Sequence, residues 1–209
     1  MPTCATTWPR RARHAWRGRR DRGERALRLQ ATPIPGLWEV ETSPRVDERG
    51  SLTRLYCADA LAAAGVDLRI VQVNHSLTRR RGTVRGLHFQ RPPAAEWKLI
   101  RCLRGRVFDV AVDLREGSPT FARWHAVLLS ADNQRQILIP PGCAHGFQTL
   151  ADDTELLYQH SAAYAPGCED GVRHDDPRFA IAWPEPAASL SPRDLGFRPL
   201  DAAFEGVRA

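Results

Sequence analysis

Arg85 and His88 stand three residues apart in "GTVRGLHFQ", Gly82 to Gln90, a mostly apolar and strand-like stretch. An imidazole trades protons near neutral pH. A guanidinium holds anions with a planar fork of donors. Lys98 follows ten residues after His88 and is the single lysine against 29 arginines. Where a plain surface cation was wanted, the chain used Arg, so a compact ammonium at one position invites a chemical reading. His145 follows the turn in "PPGCAHGF", and Tyr158 and Tyr164 lie in "TELLYQHSAAY". Brought into one cavity, these side chains would form an anion-friendly acid/base site. Each also has a plainer reading. His88 could be a core histidine bonded to a backbone carbonyl, His145 a strand-entrance residue, the tyrosines rim aromatics, and Arg85 the partner of a surface carboxylate.

Chemistry requires an architecture that gathers these positions. "LWEVETS" alternates as a strand does, and "DERG" reads as a turn. "CADALAAAGVD" predicts a short helix stopped by Gly65. Strands then dominate: "RIVQVNHSL", "GTVRGLHF", "KLIRCLRGRVFDVAVDL" as two strands with Gly105 at the turn, "RWHAVLLS", "RQILIPPG", "AHGFQTL" and "TELLYQHSAAY". Many short strands separated by turn chemistry argue for an all-β sandwich or barrel. In a closed β structure, inward residues from distant strands converge on one cavity. The Pro-rich C-terminal stretch, "DDPRFAIAWPEPAASLSPRDLGF", is expected to wrap the barrel and end in a short helix.

Composition narrows the function. The 209 residues suffice for one domain with a sizeable core. No apolar run is long enough for a membrane span or a signal-peptide core, so a cytoplasmic protein is expected. The five cysteines are scattered without a C-x-x-C pair, as in a reducing compartment. The net charge of +6 is uneven: residues 1–30 hold nine arginines against Asp21 and Glu24, and the remainder sums to −1. Residues 1–30 are therefore expected to be a disordered Arg-rich extension, with one domain over residues 31–209. A nucleic-acid-binding domain would carry its charge on a folded face, which argues against nucleic acid as a partner. "GLHFQ" offers one histidine where a metal centre would want two close ones, so no metal is expected.

"RGLHFQ", Lys98, "RGRVFDVAVDLREGSPTFARWHAVLLS", "PPGCAHGFQTL", "LLYQHSAAYAP" and "SLSPRD" occur in this order. Over roughly residues 33–196 the set resembles the dTDP-4-dehydrorhamnose 3,5-epimerase family. The resemblance implies an all-β, cupin-type jelly roll, or double-stranded β-helix, with a few short helices. It implies a homodimer, a dTDP-4-keto-6-deoxy sugar as substrate, and no metal or organic cofactor. By resemblance His88 is the catalytic base, Asp194 its carboxylate partner, Lys98 the cation beside the keto oxygen, and Tyr158 the general acid. His145 and Tyr164 match further active-site residues, Arg85 a phosphate contact, and Gln72 and Asn74 in "VQVNHS" polar lining. Read without the family, Ser191-Pro192-Arg193-Asp194 is a helix capping box.

One departure stands out. After "ERG" the family usually carries Phe and then Glu, donated to a neighbouring subunit's nucleotide site. Here Leu52 and Arg54 occupy those places, and Arg54 is expected to touch substrate. The alternating strand in "IPGLWEVETS" is expected to cross to the partner. The alternatives are a single-carbon 3- or 5-epimerase and a non-catalytic sugar-nucleotide-binding jelly roll.

Overall fold

The computed structural model describes residues 27–201 and 203–208. The Arg-rich extension lies outside them except for its last four residues, which belong to the first strand. The strands are β1 (Leu27–Ala31), β2 (Trp38–Thr42), β3 (Arg45–Asp47), β4 (Gly50–Leu52), β5 (Gln72–Thr78), β6 (Val84–Gln90) and β7 (Lys98–Arg104). After them come β8 (Arg106–Asp113), β9 (Trp124–Ser130), β10 (Gln136–Ile139), β11 (Cys143–Thr149), β12 (Thr154–His160) and β13 (Glu169–Gly171). Two short helices, α1 (Ala58–Ala62) and α2 (Pro192–Gly196), complete the described elements.

A six-stranded sheet, β1-β2-β10-β7-β12-β5, faces a five-stranded one, β13-β6-β11-β8-β9, and β3–β4 is a separate hairpin. This is the expected all-β, cupin-type jelly roll. Its first strand starts at Leu27, four residues ahead of the expected domain boundary, because residues 27–31 pair along the whole of β2. Within the single chain, the strand in "IPGLWEVETS" pairs on both sides: β2 sits between β1 and β10.

Three apolar layers hold the sheets. Between them lie Ile100, Cys102, Ile137, Ile139 and Leu156 from one sheet, with Val107, Ala111, Leu129 and Phe147 from the other. Outside the five-stranded sheet, the C-terminal segment lays Val172, Phe179 and Val207 over Leu87, Phe89, Val110, Val112 and Leu114. Outside the other, Leu61 of α1 with Val66 and Leu68 covers Val40, Leu99 and Leu138. β8 therefore buries both faces, which is why "VFDVAVD" reads as almost continuously apolar. A fully buried Leu or Ile at such a position contributes roughly 1.5–3 kcal/mol.

At one end of the sandwich the inner layer turns polar. Along β5 the side chains alternate, Gln72, Asn74 and Ser76 lining a cavity while Val71, Val73 and Leu77 stay exposed on the other side. This end carries the candidate site.

Candidate active site

The cavity has a volume of about 250 Å³ and is lined by Gln72, Asn74, Ser76, Arg85, His88, Phe89, Gln90, Glu96, Lys98, His145, Tyr158, His160, Tyr164 and Glu169. Both sheets contribute. β5, β7 and β12 supply one wall, β6 and β11 the other.

A spacing of three puts two strand side chains on opposite faces, so Arg85 and His88 should not share a cavity. They do, because β6 carries one extra residue against β11. His145 pairs with His88, and Phe147 pairs with Arg85, with an irregularity between. Such a bulge lets the strand re-aim a side chain. It forms where Gly86 has φ +132 and where an added Cβ would lie 2.5 Å from the Cα of Gly146. Two glycines back to back are what the close approach requires. The Arg85 guanidinium reaches Ser76 Oγ at 3.2 Å and Thr78 Oγ1 at 3.4 Å and remains largely exposed at the cavity mouth.

His88 is half-buried, and its Nε2 lies 2.7 Å from Asp194 Oδ1. Asp194 is 3% exposed. Burial alone would raise its carboxyl, but His88 and the Gly86 N–H hold it below the usual range. Ser191 caps α2 by accepting from the Asp194 N–H at 3.0 Å, as the capping pattern predicts. The Asp194 carboxylate, meanwhile, reaches His88 and the Gly86 N–H at 3.3 Å. One residue thus has its backbone in a helix cap and its side chain on a histidine. Phe197, just after α2, sets its ring edge-on to His88 at 5.9 Å. That ring fills the space beside Gly171, where a Cβ would sit 2.2 Å from it.

Lys98 is 7% exposed, and its Nζ donates to the backbone carbonyl of His88 at 3.1 Å. Burial lowers its ammonium pKa, opposed chiefly by Glu96. Opposite His88, His145 lies bidentate on Asp109, its Nε2 2.9 and 3.0 Å from the two carboxylate oxygens. Burial pushes the His145 imidazole down and the Asp109 carboxyl up, each opposed by the other's charge. Tyr158 stands on β12 with its ring edge toward His145 at 5.9 Å. Burial, with the Asp109 charge, pushes its phenol far above the usual range. Tyr164 is 54% exposed at the rim, its hydroxyl on Glu169 and its N–H on Gln72 Oε1.

Nine of the ten expected site residues therefore meet: eight line the cavity and Asp194 backs His88. Arg54 does not. It is exposed just beyond β4, and the hairpin that precedes it belongs to neither main sheet, so the expected substrate contact is absent from this chain's own cavity. The sequence reading missed Asp109, Glu96 and His160. All three carried a signal: Asp109 is an acid on an apolar strand face, and His160 and Glu96 lie two residues from Tyr158 and Lys98. Among the described residues no group of three or more His, Cys, Asp or Glu side chains is arranged to hold a metal ion.

An open jelly-roll end lined by histidine–carboxylate pairs, one buried ammonium and a half-buried tyrosine defines a class of cupin-type acid/base site. Comparison with known proteins names the family. The sequence model for dTDP-4-dehydrorhamnose 3,5-epimerase matches residues 31–202. The chain is 40% identical over 187 residues to the dTDP-4-dehydrorhamnose 3,5-epimerase of Mycobacterium tuberculosis (strain CDC 1551 / Oshkosh), covering 88% of this chain and 90% of that one. It is 42% identical over 169 residues to the dTDP-4-dehydrorhamnose 3-epimerase of Streptomyces niveus, covering 80% and 81%. A crystal structure of a dTDP-6-deoxy-D-glucose-3,5-epimerase from Legionella pneumophila Philadelphia 1, in complex with dTDP-4-keto-L-rhamnose, superposes with a TM-score of 0.81 at 37% identity, covering 88% and 98%. The chain belongs to the dTDP-4-dehydrorhamnose 3,5-epimerase family.

Proposed function

We propose that this protein epimerises a dTDP-4-keto-6-deoxy sugar at C3 and C5 through an enolate. The observation that carries the reading is the His88–Asp194 pair at 2.7 Å, set across the cavity wall from Tyr158 and beside Lys98. The C4 ketone acidifies the hydrogens on both neighbouring carbons. His88 takes one as general base, while Asp194 fixes its tautomer and stabilises the imidazolium as it forms. Negative charge gathers on the C4 oxygen, where the Lys98 ammonium meets it. Tyr158, held protonated by burial, returns a proton from the opposite face. The His88 imidazolium then loses its proton to solvent and the Tyr158 phenolate takes one back from solvent, which resets the pair for the second carbon. Arg85 at the mouth holds the diphosphate and orients the sugar. Gln72, Asn74, His145 and Tyr164 contact the sugar and its linkage, and the chemistry needs no metal or organic cofactor.

The protein acts as a homodimer in this reading. In support, β5 is an uncovered edge strand whose outward Val73 and Leu77 are 56% and 42% exposed, and Leu52 on the β3–β4 hairpin is 74% exposed. Arg54 then serves a partner's cavity rather than its own. Cytoplasmic residence follows from the activity proposed.

A second reading keeps the site and inverts C3 alone, as the name of the Streptomyces niveus relative says of that protein. Proton NMR of the product from dTDP-4-keto-6-deoxyglucose separates them. Inversion at C3 and C5 supports the first reading, and inversion at C3 alone supports the second. An unchanged ring under conditions where the sugar nucleotide binds contradicts both.

A further inference from the structure

His160 and Glu96 form a third histidine–carboxylate pair in the cavity, and the mechanism above gives it no task. The two are buried, at 9% and 8% exposure. His160 Nδ1 lies 2.9 Å from Glu96 Oε2, and the other Glu96 oxygen lies 3.5 Å from Lys98 Nζ. His160 Nε2 faces the Asn74 side-chain amide at 3.5 Å, and the imidazole stacks on the Tyr158 ring with centroids 6.0 Å apart and planes at 8°. Cross-strand pairing sets this out: His160 stands directly opposite Lys98 on one side and Gln72 on the other.

We propose that Glu96, itself held by His160, is a positioning residue that fixes the Lys98 ammonium toward the substrate's keto oxygen. The proposal rests on the enolate reading above. An ammonium has three donors on a flexible stem. One is taken by the His88 carbonyl at 3.1 Å, and the Glu96 carboxylate, an ion-pair partner at 3.5 Å, draws the ammonium to its side, which limits the directions left for the remaining donors. Glu96 can serve as a fixed acceptor because its second oxygen accepts from His160 Nδ1–H. His160 in turn cannot swing, since β12 carries it against Tyr158 and Asn74. The chain runs from the proposed proton donor's ring to the proposed oxyanion donor.

Charge matters as well as aim. Lys98 sits near His88 on β6, His145 on β11 and His160 on β12, with Asp109 on β8, Glu169 on β13 and Glu96 just before β7 on the anionic side. Burial disfavours the ammonium, and Glu96 is its largest opposing influence. Removing that carboxylate lowers the lysine pKa further. Activity that requires the ammonium then fails at a lower pH.

Lys98 being the only lysine in the chain gives a direct test. Protein labelled with 15N-lysine yields one side-chain Nζ signal, titrated in wild type, Glu96→Gln and Glu96→Asp. The expected result is a Lys98 pKa at least about one unit lower in Glu96→Gln, the size expected for loss of an opposite charge within ~4–6 Å, with Glu96→Asp in between. In turnover, Glu96→Gln should lose roughly tenfold or more in kcat with KM within about twofold, and its alkaline limb should move to lower pH. His160→Phe keeps the stack and removes the Nδ1 donor, so it should cut kcat without altering KM. It also serves if Glu96→Gln fails to fold. An unchanged lysine titration in a folded Glu96→Gln, or full kcat in either variant, overturns the proposal. Failure of wild type to turn over any 4-keto sugar nucleotide overturns the function instead, and the lysine titration still reads the ion pair.

Discussion

Arg85 and His88 lie three residues apart on one strand and still line one cavity, because β6 bulges at Gly86 against Gly146. The anchor for an anion and the proposed base are therefore set relative to each other by backbone geometry. Gly86→Ala must place a Cβ at φ +132 and 2.5 Å from the Gly146 backbone. Strain of this kind costs on the order of 1–3 kcal/mol. The expected outcome is a lower thermal midpoint together with a kcat loss larger than that of a surface Gly→Ala change at Gly117, where nothing lies within 4 Å but φ is also positive. Thermal melts and steady-state rates on the two variants make the comparison.

Lys98→Arg keeps the charge and loses the shape. The guanidinium is wider and planar, and the ammonium it replaces is buried against the His88 carbonyl. Misplacement of a reacting group by about 1 Å costs roughly 10²-fold. The variant should fold with an unchanged far-UV spectrum and lose most of its turnover, whereas Arg→Lys at exposed Arg198 should change neither. Wild-type rates in Lys98→Arg would move the oxyanion contact to His145.

Cap and partner can be separated at α2. Ser191→Ala removes the cap acceptor and should cost about 1 kcal/mol of stability with most activity kept. Asp194→Asn keeps the backbone cap and removes the charge behind His88, so activity should fall at least about 10²-fold while stability changes little. Denaturant midpoints and kcat, measured on both variants, should move in opposite patterns.

The Phe197 ring locks α2 beside His88 through the space above Gly171. Gly171→Ala should push the ring away and carry Asp194 with it, lowering activity by about tenfold or more. Adding Phe197→Ala to that variant frees the space and should restore part of the rate. No restoration would show that Gly171 matters for another reason.

Asp113 tests the fold rather than the site. Although burial alone would raise its carboxyl, bonds from Arg115, Ser118 and Thr120 lower it to about 2. A carboxyl depressed in the folded state stabilises above its unfolded pKa and loses that contribution as pH falls. Asp113→Asn should cost on the order of 2–3 kcal/mol at neutral pH. The gap to wild type should begin to close below the ordinary value of 3.8 and vanish toward about 2. Denaturant unfolding at a series of pH values reads this directly.

The strands were legible because β5 through β12 announce themselves by alternation or by apolar runs between glycine, proline and Asx turns. The hairpin β3–β4, strand β13 and strand β1 were not. The hairpin and β13 are three residues each, too short for a period to show, and β1 lies in an arginine-rich context that masks its Leu27 and Leu29. Of the site, the histidines and the lysine were visible as polar residues in apolar strands. What could not be read was pairing. Asp109 meets His145 only through the register of β8 against β11, and Glu96 meets His160 only through that of β7 against β12. Arg54 lies outside its own chain's cavity, where a motif donated to a neighbouring subunit would lie.

In the proposed mechanism His88 removes a proton from each carbon flanking the ketone. Incubation with dTDP-4-keto-6-deoxyglucose in D2O, followed by NMR, measures it at each carbon separately. Wild type should place deuterium at C3 and at C5, and in His88→Ala both should fill at least about 10²-fold more slowly. Deuterium entering only one carbon or neither with wild type, or entering at the wild-type rate in His88→Ala, would rule this mechanism out.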